Sequence, residues 1–154
     1  MVRDIVKLND DGGREILSTP CSKVTMKEAS SIVKDLLDTV KYYDELSEKG
    51  EFEKTCYGLA ANQIGINKAV FVYKTSDGKW YHMINPIIVS KSKETIDSDE
   101  GCMSMEGTST VTRHKKIQVF YKRMGSNRTY TLDASGFTAT VIQHEIDHLH
   151  GILI

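Results

Sequence analysis

His144, Glu145 and His148 form an H-E-x-x-H pattern inside Gln143-His144-Glu145-Ile146-Asp147-His148. On a helix, imidazoles four residues apart stand one turn apart on the same face and can grip one metal ion, while the glutamate projects beside them as a general base. The run from Gly136 to His150 has helical texture, and Gly151 is a natural C-terminal cap. At roughly 100° per residue, Phe137, Val141, His144 and His148 share one narrow sector, Glu145 lies at its margin, and Gln143, Asp147 and His150 point elsewhere. A pair of hydrogen-bonded core histidines is the bland alternative. Burying two imidazoles and a carboxylate together without a shared cation is costly, which favours a metal.

Two imidazoles do not complete such a site, because catalytic centres of this kind take three protein ligands and leave a position for water. Beyond the helix only His150, Gly151, Ile152, Leu153 and Ile154 remain, and His150 sits on the wrong face, so the third ligand is sought upstream. Cys102 is the best candidate: in Glu100-Gly101-Cys102-Met103-Ser104-Met105 a thiol follows a flexible glycine in a segment without core periodicity. Cys21 and Cys56 lack that context. The commonest fate of a free cysteine is a small buried hydrophobe, and without the histidine pair Cys102 would be read that way.

The elements that must position these groups follow from local pattern. Residues 1–24 read as an irregular arm. Thr25 and Glu28 match a capping box, and Met26, Ala29, Val33, Leu36, Leu37, Val40 and Tyr43 recur at helical spacing up to a stop at Gly50, predicting an amphipathic core helix. Small residues surround Gln63 in Tyr57-Gly58-Leu59-Ala60-Ala61-Asn62-Gln63-Ile64-Gly65, which suits a backbone that something approaches closely. Lys68 to Tyr73 and Trp80 to Ile84 flank Ser76-Asp77-Gly78 as a hairpin that Asn85-Pro86 ends, with a further short strand at Ile87 to Val89. Residues 91–99 read as a polar loop. Ile117 to Tyr121 and Thr129 to Leu132 form a second hairpin. The expected fold is α+β: antiparallel or mixed strands packed around a C-terminal helix carrying the H-E-x-x-H motif, with one long N-terminal helix, as a single domain over residues 1–154.

Composition narrows the function classes. Twenty Lys and Arg against 21 Asp and Glu give a formal charge of -1, which argues against nucleic acid or an anionic membrane as partner. Three cysteines without C-x-x-C spacing fit neither a disulfide framework nor a zinc ribbon, so a reducing, cytoplasmic setting is expected. No apolar run reaches the roughly 20 residues of a membrane span, and no signal-peptide pattern opens the chain.

Three segments together, Tyr57-Gly58-Leu59-Ala60-Ala61-Asn62-Gln63, Glu100-Gly101-Cys102-Met103-Ser104 and Gln143-His144-Glu145-Ile146-Asp147-His148, resemble the ordered motifs of the peptide deformylases in sequence and spacing. The resemblance implies a metal-dependent hydrolase that removes the N-formyl group from the initiator methionine of new polypeptides and releases formate. It implies one divalent metal held by Cys102, His144 and His148, Fe(II) in the cell with Zn(II), Ni(II) or Co(II) also compatible, and Glu145 as general acid/base. The Gln63 side-chain amide and the Met103 N–H are implied as donors to the oxyanion. An extended N-formylmethionyl nascent peptide is implied to bind against backbone near Gly58, with Phe137, Thr140 and Val141 at the wall of a methionine pocket and Arg113 helping to hold the peptide.

Two departures stand out: Cys56 replaces a glycine usual in the first motif, and Glu106 follows Met105 where a proline is usual. Together with a chain that stops six residues after His148, they motivate an alternative, a deformylase-like protein that holds metal or peptide with weak or no activity. The short end also makes docking on the ribosome through a C-terminal extension an unsupported expectation.

Overall fold

The computed structural model describes residues 1–154. A short helix, α1 (Gly13–Ser18), interrupts the expected irregular arm and seats Leu17, which is fully buried. The long helix α2 spans Met26–Glu48. Its start is the expected capping box: the Thr25 hydroxyl accepts from the Glu28 N–H, and the Glu28 carboxylate accepts from the Thr25 N–H. Such a cap contributes about 1 kcal/mol.

Seven strands follow: β1 (Gly58–Ala60), β2 (Val70–Lys74), β3 (Trp80–Lys91), β4 (Thr95–Glu100), β5 (Ser109–His114), β6 (Lys116–Lys122) and β7 (Tyr130–Ser135). A 3-10 turn at Ala61–Ile64 follows β1, and helix α3 covers Gly136–Leu149. Five strands make one antiparallel sheet in the order β1-β2-β3-β6-β7, and β4-β5 form a separate antiparallel pair. Alternation along β2 sends Val70 and Val72 toward Val33, Leu36 and Val40 of α2, and Phe71 and Tyr73 toward Ala139, Ile142 and Ile146 of α3. The sheet is thus covered by one helix on each face. The α+β class with the motif-bearing helix packed on strands is as expected.

Three local expectations differ. Asn85-Pro86 does not end a strand, because β3 runs on to Lys91. Its pairing with β6 skips residues 85–86, so proline removes no ladder bond there, and Asn85 takes a left-handed conformation (φ 48°) that its short polar side chain tolerates. The Asn85 amide also ties the sheet to the arm, accepting from the Val24 N–H at 3.0 Å and donating to the Val24 carbonyl at 2.9 Å. The polar loop expected at residues 91–99 is largely strand β4. It lacks apolar alternation because its rungs to β5 are polar: Thr110 donates to Asp99 at 2.7 Å and Thr112 to Asp97 at 3.1 Å. Finally, α3 is buried nearly all round, including Gln143, whose amide exchanges two 2.9 Å hydrogen bonds with the backbone of His114.

No helix is long and apolar enough to cross a membrane.

Candidate active site

The last turns of α3 bring His144 and His148 together by helical geometry alone, with their Nε2 atoms 3.1 Å apart. The β4-β5 connection adds the third donor. Sγ of Cys102 and a nitrogen of each histidine lie within 4.8 Å of one another, the histidines buried and the cysteine half-buried. Two imidazole nitrogens that face each other cannot both carry a proton, and one thiolate with two imidazoles is a borderline-soft set suited to a divalent transition metal with a coordination position left open. The residues present therefore fit such an ion.

Glu100 orients the set. Its Oε1 lies 2.8 Å from Nδ1 of His144, the carboxylate–histidine arrangement that directs the opposite ring nitrogen at a metal. Arg113 holds Glu100 in turn: Nε donates to Oε2 at 2.9 Å and Nη2 to Oε1 at 2.7 Å, while Nη1 donates to Asp147 at 2.5 Å. Burial alone would raise the Glu100 carboxyl, but the Arg113 fork and His144 outweigh it and hold it at about 2. Burial drives His148 the other way, down to about 3, so its ring is neutral and free to ligate.

Arg113, expected to help hold the peptide, is 4% exposed and is engaged by Glu100 and Asp147. Replacing it with methionine leaves Glu100 buried without its counter-ion. Urea unfolding should show a loss of about 3–5 kcal/mol, and metal titration a weakening of about 10- to 100-fold.

Glu145 is buried, and its Oε1 has no hydrogen-bond partner. Burial pushes this carboxyl up to about 7 against the pull of His144. Gly58 passes so close that a Cβ there would lie 2.6 Å from Oε2 of Glu145 and 2.8 Å from its Cδ, which explains why the edge strand carries a glycine. Cys56, just before it, is buried with its Sγ 3.3 Å from the Gly58 carbonyl, and burial raises the thiol to about 12, so it is a protonated filler.

A cleft of about 580 Å3 opens over these groups, with Gly58, Cys102, Met103, Phe137, Val141, His144 and Glu145 on its walls. Tyr57 meets Phe137 edge-on at 4.8 Å across its mouth. Gln63 stands behind the wall, 1% exposed. Its Oε1 accepts from the Ala60 N–H at 2.9 Å, and its Nε2 donates to Ser104 Oγ at 3.1 Å, leaving one amide hydrogen uncommitted. His148 lies below the cleft floor, where Asn62 donates to its carbonyl at 2.7 Å. Sequence reasoning missed Glu100 and Arg113 as supports. The only hint of the first was a carboxylate two residues before the thiol.

An α+β fold whose H-E-x-x-H helix meets an upstream cysteine beneath an edge strand defines a metal-dependent hydrolase. Comparison makes the assignment specific. The family model described as "Polypeptide deformylase" matches residues 2–154. Peptide deformylase 1 of Clostridium perfringens is 38% identical over 150 residues, covering 96% of this chain and 92% of the relative. Among solved structures, the peptide deformylase of Ehrlichia chaffeensis in complex with actinonin has a TM-score of 0.83 at 29% identity, covering 99% of this chain and 86% of that one. The class I type b peptide deformylase of Acinetobacter baumannii bound to Met-Ala-Ser has a TM-score of 0.81 at 25% identity, covering 99% and 97%. The chain belongs to the polypeptide deformylase family, enzymes that remove the N-formyl group from polypeptides.

Proposed function

We propose that residues 1–154 work as one catalytic domain that deformylates N-formylmethionyl nascent peptides in the cytoplasm. The observation that carries this reading is the convergence of Cys102, His144 and His148 beside a buried, unpartnered Glu145 at the base of an open cleft. Cys102, His144 and His148 hold one divalent metal, Fe(II) in the cell, and the same donors accept Zn(II), Ni(II) or Co(II). When bound, such an ion supplies Lewis acidity, lowering the pKa of water and polarising the formyl oxygen.

Glu145 takes the proton from the attacking water and returns it to the departing amine, so that water and a formamide become formate and a free amino terminus. The Met103 N–H and the free hydrogen of the Gln63 amide receive the negative charge that builds on the formyl oxygen. Phe137, Thr140 and Val141 line the methionine pocket. The peptide lies extended along β1, which is the edge of its sheet, with Gly58 leaving room for it. A relative that binds Met-Ala-Ser supports a substrate whose first residue is methionine. Free thiols at Cys21, Cys56 and Cys102 support a reducing compartment.

The test is formate release from formyl-Met-Ala-Ser by protein purified anaerobically with iron. Turnover is expected to vanish with a chelator and to return when Fe(II), Ni(II) or Co(II) is restored. No formate from protein with a full complement of metal would instead favour a binding protein. Oxidation of the Cys102 thiolate inactivates the site, so oxygen must be excluded.

A further inference from the structure

The connection between β4 and β5, residues 101–108, carries both Cys102 and Met103, yet it has no regular structure and no proline. Three tethers from distant parts of the chain hold it. The Leu8 N–H donates to the Ser104 carbonyl at 2.8 Å, and the Gln63 amide donates to Ser104 Oγ at 3.1 Å. The third comes from Lys54, a half-buried residue on the segment leading into β1, whose Nζ donates to the Cys102 carbonyl at 3.0 Å and to the Met105 carbonyl at 2.6 Å. Both of its hydrogen bonds go to these carbonyls and neither to a carboxylate, so this is not an ordinary surface ion pair.

The two carbonyls are the first and last of the turn that contains Met103. The turn's own hydrogen bond, from the Met105 N–H to the Cys102 carbonyl, is long at 3.4 Å, so the ammonium is the firmer link between its ends. The Cys102 carbonyl and the Met103 N–H belong to one peptide unit, which is planar and trans, so the two groups point in opposite directions. A donor that grips the carbonyl therefore aims the N–H. It also polarises the peptide and strengthens that N–H as a donor, because hydrogen bonds in series reinforce one another. A lysine suits this geometry, because its three donors on a flexible stem can reach two carbonyls that diverge.

We propose that Lys54 is a positioning residue whose ammonium, bridging the Cys102 and Met105 carbonyls, fixes the peptide plane that presents the Met103 N–H to the formyl oxygen. Its catalytic consequence rests on the deformylase mechanism proposed above; its structural content does not.

The experiment compares wild type, Lys54→Met and Lys54→Arg, loaded with zinc for the spectra and with nickel for the kinetics. Lys54→Met is expected to keep its metal and its cooperative unfolding, to move the Met103 amide signal in 1H–15N spectra, and to lower kcat on formyl-Met-Ala-Ser by about 10- to 100-fold with KM within about twofold. Lys54→Arg, which restores donors to the same carbonyls, is expected to recover most of kcat and to return the signal toward its wild-type position. Should Lys54→Met fail to fold, Lys54→Gln keeps one donor and carries the same comparison. An unmoved Met103 amide with unchanged kcat overturns the proposal, as does a loss of kcat that only tracks loss of metal. A wild type that holds metal but releases no formate overturns the hydrolase reading instead, and the Met103 signal still decides whether Lys54 sets this peptide plane.

Discussion

Glu145→Gln is expected to lower formate release from a formyl-methionyl peptide by about 10²- to 10⁴-fold, the range that a positioned general base contributes, while metal content stays at one per chain. The substitution is nearly isosteric, so packing around a side chain that is 3% exposed is kept. It replaces a group able to take a proton with one that cannot. The position tolerates a neutral side chain, because burial already pushes the carboxyl up to about 7 and its Oε1 has no partner to lose. Stability should therefore hold or rise slightly, and the variant should unfold in urea at or above the wild-type midpoint. Loss of activity with stability retained separates a role in proton transfer from a role in packing. A variant as active as wild type would remove Glu145 from the mechanism.

Gly58→Ala is expected to be the most damaging single methyl group in the molecule for catalysis. The new Cβ would stand 2.6 Å from Oε2, 2.8 Å from Cδ and 2.9 Å from Cγ of Glu145, all inside van der Waals contact. The backbone of β1 is held by its pairing with β2, Gly58 opposite Tyr73 and Leu59 opposite Val72, so the side chain yields sooner than the strand. Relief of the clash moves the Glu145 carboxylate, and a displacement of about 1 Å at a reacting group costs on the order of 10²-fold in rate. The measurement is kcat/KM beside the circular dichroism spectrum and metal content. A large fall in rate with an unchanged spectrum and full metal is the expected pattern. Wild-type kinetics would show that Glu145 moves freely, at odds with its burial.

Much of the fold was legible because its cues are local. The Thr25/Glu28 box sets the start of α2 within four residues, the Ser76-Asp77-Gly78 turn joins β2 to β3, and the periodicity of residues 136–150 describes α3. The misreadings occur where local pattern and tertiary partner disagree. Strand β4 looks like a loop because Asp97 and Asp99 are stabilised by Thr112 and Thr110 across the hairpin, partners 15 and 11 residues away. Arg113, expected to help hold the peptide, is folded against Glu100 and Asp147. Cys56, which seemed a threat to the site, is a buried thiol turned onto the Gly58 carbonyl.

For the site itself, the sequence alone determined the donor types and the pairing of His144 with His148 beside Glu145, because four residues on an α-helix make one turn whatever surrounds it. It also marked Cys102 as the candidate to complete the set. Only the tertiary structure decided what holds that set in place: Glu100 against His144 across 44 residues, Arg113 against Glu100, Gly58 against Glu145, and Lys54 on the Cys102 carbonyl across 48 residues. These contacts join separate elements, and no local periodicity encodes them. They exist because burying the carboxylates and the loop carbonyls requires charged or hydrogen-bonding partners, and the packing of the sheet against α3 determines which residues stand near enough to serve.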